Sequence, residues 1–188
     1  MFRPDGPSLL ELLRQALSST ERGYDMLAPK FDATPFRTPD EILAPMARAI
    51  GEPGSVRDAL DVMCGTGAAM TWLRPLCRER VVGVDFSAGM LEEARRRVNA
   101  APGDAQVVLE RGDVLTIRFD RAFDVATCVG AFGHILERDE ARFLGNVQRA
   151  LRPGGRFVFP TAEAPPATST RLWMARAFNA AMHLRNAV

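Results

Sequence analysis

From Val56 onward, short apolar runs alternate with longer stretches of helical periodicity. The runs are Ala59–Val62, Arg80–Val84, Ala105–Leu109, Phe123–Val129 and Arg156–Phe159. A helical stretch follows each except the third. Strands alternating with helices imply right-handed crossovers and a mostly parallel sheet. The runs are almost continuously apolar, as expected of strands covered on both faces. The pattern predicts an α/β, doubly wound fold over residues 55–188.

The first 54 residues predict a helical cap. Ser8 and Glu11 form a capping box that opens a helix to about Leu17. A loop carrying Pro29, Pro35 and several aromatics comes next. Thr38-Pro39-Asp40-Glu41 is a second capping box, with Pro at the first helical position. Its helix runs to about Ile50, where Gly51, Pro53 and Gly54 stop it. Near the other end, Ala162–Thr168 predicts a loop and Thr170–Arg185 a helix.

Composition narrows the class. The 188 residues amount to one domain with short extensions, and 47% of them are hydrophobic. A net charge of +1 gives no bulk case for nucleic acid or an anionic membrane. No apolar run approaches the roughly 20 residues that span a bilayer. Cys64, Cys77 and Cys128 are odd in number and far apart, which suits reduced thiols in a cytoplasm. There is no C-x-x-C pair, and His134 and His183 are the only histidines, so no structural zinc or other metal site is expected.

Candidate chemistry sits after the strands, where open parallel sheets bind ligands. Asp61-Val-Met-Cys-Gly65-Thr-Gly67 follows the first strand. Its glycines permit a tight turn and close backbone approach to a ligand. Asp85 ends the second strand, 18 positions after Gly67. An acid there can accept from both hydroxyls of a ribose, or it can cap the next helix. Arg111-Gly112-Asp113-Val114 follows the third strand, and Cys128-Val129-Gly130-Ala-Phe-Gly-His134 the fourth. Leu151-Arg-Pro-Gly-Gly155 reads as a helix stop and turn before the fifth.

These five groups, in this order, resemble the class I S-adenosylmethionine (SAM)-dependent methyltransferases, from about Tyr24 to Pro160. The resemblance implies a Rossmann-like sheet of order 3-2-1-4-5 and a small-molecule methyl acceptor, with S-adenosylhomocysteine (SAH) as product. It implies that Asp61, Cys64, Gly65, Thr66 and Gly67 hold the methionyl part of SAM, Asp85 the ribose, and Phe86 and Met90 the adenine side. Gly112, Asp113 and Val114 would meet the adenine edge, and Cys128, Val129 and Gly130 the floor near the sulfonium. Tyr24, in Tyr24-Asp-Met-Leu-Ala-Pro-Lys-Phe31-Asp, is similar to an aromatic that covers the cofactor.

Three points stay open. Met63 stands where the family has glycine, so its side chain either crowds the methionyl pocket or enters the core. His134 either deprotonates the acceptor or packs the next helix. Phe31, Phe36 and Phe132 shape an acceptor pocket or belong to the core. The Arg95–Arg97 run reads as a solvated helix face, and Glu137–Glu140 as a helix start.

Other functions remain in view. Gly65-x-Gly67-x-x-Met70 fits the NAD fingerprint G-x-G-x-x-G/A poorly at its third position. A non-catalytic SAM-binding or assembly module is the other alternative. The family's fold has seven strands, whereas five are counted here. The resemblance therefore implies a C-terminally incomplete domain, with a partly exposed edge at Arg156–Phe159 or a homodimer contact there.

Overall fold

A computed structural model describes residues 6–34 and 36–161, with Thr168, Ser169 and Trp173. Its sheet has five strands: β1 (Val56–Val62), β2 (Cys77–Asp85), β3 (Gln106–Arg111), β4 (Phe123–Thr127) and β5 (Leu151–Val158). They pair in the order β3-β2-β1-β4-β5, every pair parallel, as expected. The helices are α1 (Leu9–Ala16), α2 (Thr20–Leu27), α3 (Asp40–Ile50), α4 (Ala68–Leu73), α5 (Ala88–Ala100) and α6 (Glu137–Ala150).

Strands β1, β2 and β4 bury residues on both faces, while β3 and β5 at the edges are only partly buried. In β1, Ala59 joins a core with Leu43, Ile50, Leu73 and Val98, under α3, α4 and α5. Leu60 and Val62 join a second core with Phe123, Phe143 and Val147, under α6. Both faces of these strands are thus covered, which explains the nearly continuous apolar runs. At the amino ends of the strands, Asp58 is buried and binds Arg80 Nε at 2.8 Å and Arg152 Nη2 at 2.6 Å. Arg152 Nη1 also reaches Asp124 at 2.9 Å. Asp124 accepts from the backbone N–H groups of Arg57 and Asp58, so one ionic cluster ties β1, β2, β4 and β5 together.

Several local expectations change. The Ser8–Glu11 capping box forms, with bonds of 2.6 and 3.3 Å. The stretch read as a loop after Leu17 instead contains α2, which Ser19 caps through Arg22 N, and then a 3₁₀ turn over Ala28–Ala33. Pro39 is the N-cap of α3, and Thr38 gives no side-chain cap, so this helix starts one residue later than expected. Leu151 is already in β5. It pairs with Phe123, while Arg156 pairs with Val125. The Pro153-Gly154-Gly155 turn is therefore a bulge inside the strand rather than a stop before it.

Among the described residues β5 is one edge of the sheet, and Phe159 just beyond it is 42% exposed. The predicted helix at Thr170–Arg185 and the loop at Ala162–Thr168 lie outside the described residues, apart from the three named above.

Candidate active site

The turn after β1 is built by its backbone. Cys64 N donates to Val84 O at 3.0 Å, and Gly67 N to Cys64 O at 2.9 Å. Gly67 takes φ +76° as the N-cap of α4. A Cβ on it would stand 2.8 Å from Val98 Cγ2, so glycine lets α4 approach α5. Met70 fills the space that the third glycine of a dinucleotide fingerprint would leave open. Gly83 of β2 makes room for it, since a Cβ there would collide with the Met70 sulfur.

A cavity of about 120 Å³ opens at the carboxyl ends of β1, β2 and β4. Asp61, Cys64, Gly65 and Thr66 contribute one wall, and Asp85, Phe86 and Met90 another. Val129, Gly130 and His134 line the side after β4, and Tyr24 the roof. These are eleven of the residues expected from sequence. The other five lie elsewhere. Gly67 caps α4 and packs against α5. Asp113 Oδ1 accepts from Leu115 N at 2.8 Å in the turn after β3, beside Gly112. Val114 and Cys128 are buried in the second core.

Asp85 is buried, and its two oxygens accept from Gly65 N and Ser87 N at 2.9 Å each. Burial raises its pKa, and the backbone donors hold it back. Asp61 is 1% exposed and accepts from Thr127 Oγ1 at 2.7 Å. Burial pushes it up to about 7. Burial likewise raises Cys128 to about 12, leaving a buried thiol rather than a nucleophile. Among the described residues no cluster of His, Cys, Asp and Glu could hold a metal ion.

Two buried acids with spare lone pairs suit a ligand bearing hydroxyls and a cationic group. Gly65, with φ +52° and nothing within 4 Å of its missing Cβ, leaves backbone room beside them. These residues fit SAM. Met63 has φ +55°, the left-handed conformation that glycine adopts without strain. Its side chain both lines the cavity and packs on the second core, so each of the two readings is partly right.

The cap is fastened by acids that sequence reasoning did not single out. Asp25 accepts from Ser87 Oγ at 2.6 Å and from Gly89 N at 2.9 Å, at the start of α5. Asp32 accepts from Thr66 Oγ1 at 2.9 Å and pairs with Arg97, and Glu21 pairs with Arg111. The Arg95–Arg97 run is therefore only partly a solvated face. Arg96 meets Glu92 and Glu93 on the surface, whereas Arg97 turns inward. Phe31 and Phe36 line the cavity; Phe132 instead stacks on Phe159 at 5.3 Å. Glu137 does open α6, as expected.

Residues 59–155, about half of the chain, match the methyltransferase domain family. The demethylmenaquinone methyltransferase of Symbiobacterium thermophilum is 38% identical over 109 residues, covering 56% of this chain and 43% of the relative. That of Deinococcus radiodurans is 37% identical over 117 residues, covering 61% and 46%. The chain thus spans less than half the length of these curated relatives. Among solved structures, the DhpI–SAH complex is similar at a TM-score of 0.61 and 27% identity, over 81% of this chain and 70% of DhpI. A SAM-dependent methyltransferase from Mesorhizobium loti is similar at a TM-score of 0.51 and 34% identity, over 61% and 51%. With the sheet order and the two buried acids facing one cavity, these matches settle the family: the chain belongs to the class I SAM-dependent methyltransferases.

Proposed function

We propose that this chain transfers a methyl group from SAM to a small-molecule acceptor by direct in-line displacement. The observation that carries the reading is the meeting of Asp61, Gly65 and Asp85 at one cavity under an aromatic roof. Asp85 holds the ribose hydroxyls, Phe86 and Met90 flank the adenine, and Asp61, Cys64, Gly65 and Thr66 hold the methionyl part. Val129 and Gly130 line the floor beside the sulfonium. SAM supplies an already activated methyl group. The protein positions the acceptor and excludes water, and such positioning lowers a barrier by up to roughly 7–11 kcal/mol. Residues 1–54 act as the cap that closes this space.

Relatives named for demethylmenaquinone support a small-molecule acceptor. No helix among the described residues is long and apolar enough to cross a membrane. Three buried free thiols support a cytoplasmic protein. The place of β5 at the sheet edge among the described residues supports pairing with a second copy, which sedimentation velocity would detect as a dimer.

Calorimetric titration with SAM, SAH and NAD tests the main reading. Micromolar binding of the first two, lost in Asp85→Ala, is expected. Binding of neither at millimolar ligand would sink it, and binding without transfer to any acceptor would favour a non-catalytic module.

A further inference from the structure

Asp61 of β1 and Thr127 of β4 occupy one register position in neighbouring parallel strands. Their side chains therefore leave the sheet on the same face. Both are buried, and Thr127 Oγ1 donates to Asp61 Oδ1 at 2.7 Å. On its other side Asp61 pairs with Gly83 of β2, which has no side chain to offer. The sulfurs of Met70 and Cys64 fill the space beside that glycine. The second carboxylate oxygen, Oδ2, has no hydrogen-bond partner among the described residues, yet none of their fully buried side-chain oxygens lacks one. Oδ2 therefore keeps an opening, and the cavity that Asp61 lines provides it.

We propose that Thr127 is a positioning residue for the amino-acid end of SAM. By occupying Oδ1 it turns Oδ2 of Asp61 to the cavity, where that oxygen accepts from the amino group of the cofactor. The proposal rests on the methyl-transfer reading above.

The chemistry of the hydroxyl argues for this role. Threonine has one hydroxyl hydrogen, and an ionised carboxylate can only accept. Leu60 O lies 3.4 Å from the same hydroxyl, beyond the usual range for such a bond, and competes weakly. The branched Cβ of threonine restricts χ1, so the hydrogen stays aimed at Asp61. Valine at this position would fill the same space and donate nothing. Asp61 would then lose the hydrogen bond that favours its charged form and would hold its proton more tightly.

Other titratable groups bear on Asp61 as well. Asp85, at the end of β2, disfavours its charge. Burial keeps the thiols of Cys64 and Cys128 uncharged. Tyr24 and Arg37 of the cap and His134 after β4 line the same cavity, and Arg37 donates to Asp40 at 2.9 Å. Thr127 differs from all of these in touching the carboxylate directly.

The test compares wild type, Thr127→Val and Thr127→Ser by calorimetry over a pH series. The probes are SAH and 5′-methylthioadenosine, which has the nucleoside and the sulfur but no amino-acid end. Thr127→Val should bind SAH about 10-fold more weakly near neutral pH, and the rise of affinity with pH should move up by about one pH unit. Its affinity for 5′-methylthioadenosine should stay within a few-fold of wild type throughout. Thr127→Ser should recover most of the SAH affinity. Equal weakening of both probes would show that Thr127 serves strand pairing alone and would overturn the proposal. Unchanged or tighter SAH binding in Thr127→Val would overturn it too, as would a loss that serine does not restore. Failure of wild type to bind SAH would overturn the methyl-transfer reading, and the role of Thr127 with it.

Discussion

Tyr24 and His134 stand 110 positions apart and share one hydrogen bond across the mouth of the cavity. The bond joins a cap helix to the loop after β4. Tyr24→Phe removes it and keeps the ring contacts with Phe31 and Phe86. Loss of a partly exposed hydrogen bond of this kind should lower stability by about 1 kcal/mol. Urea unfolding followed by circular dichroism measures that difference, and a loss several times larger would mean that the cap depends on this one contact.

Asp61 links stability to function through its proton. Its pKa is about 7 in the folded protein against an ordinary 3.8. Between those values the folded state keeps a proton that the unfolded chain has lost. The stability this group contributes is complete below about pH 4 and is lost as pH rises through about 7. Asp61→Asn keeps an acceptor for Thr127 and carries no charge, so it should be more stable than wild type above neutrality, by a few kcal/mol at most. Thermal melts over a pH series check this.

The same acid should make ligand binding pH-dependent. A cationic amino group beside Asp61 favours the carboxylate, which also faces the neighbouring Asp85. SAH affinity should therefore rise between about pH 6 and pH 8 in wild type. In Asp61→Asn the rise should flatten, and binding should weaken by about 10- to 100-fold. Calorimetry at several pH values reads both effects.

Met63→Gly should relieve a left-handed residue, a cost of roughly 1–2 kcal/mol. It also removes a side chain from the second core. The two effects oppose each other, so stability should change by about 1 kcal/mol or less. SAH should bind more tightly because the methionyl end of the cavity widens. Weaker SAH binding in this variant would show that Met63 contacts the ligand favourably.

Asp58 provides a control remote from the site. Asp58→Ala strips the buried acid from the Arg80 and Arg152 pairs. It should cost about 2 kcal/mol in urea unfolding, since bonds to charged groups contribute about 1.5–3 kcal/mol. SAH affinity should be unchanged, because the cluster lies at the opposite end of the strands.

The sheet was readable from sequence because burial on both faces leaves a nearly continuous apolar mark in the middle of β1, β2 and β4. The turn after β1 and Asp85 were readable because glycines and an acid directly follow apolar runs, where parallel sheets bind ligands. Helix α2 was not. It has eight residues with Gly23 among them, and Asp25 meets Ser87 and Gly89 more than sixty positions away. Arg97 was misread for the same reason, since its partner Asp32 is remote in sequence. The start of β5 was hidden by Pro153-Gly154-Gly155, which reads locally as a turn and is a bulge only in the context of β4.

The seam between cap and sheet has a consequence for how such an enzyme diversifies. On the α2 side Glu21, Asp25 and Asp32 meet it through ion pairs, a hydroxyl and a backbone amide, whereas on the α3 side Leu43 and Ile50 enter the first core. A polar seam can be rebuilt one contact at a time, whereas a shared hydrophobic interior must be repacked on both sides at once. Selection can therefore vary the α2 side of the cavity separately from the side that α3 and the sheet hold together.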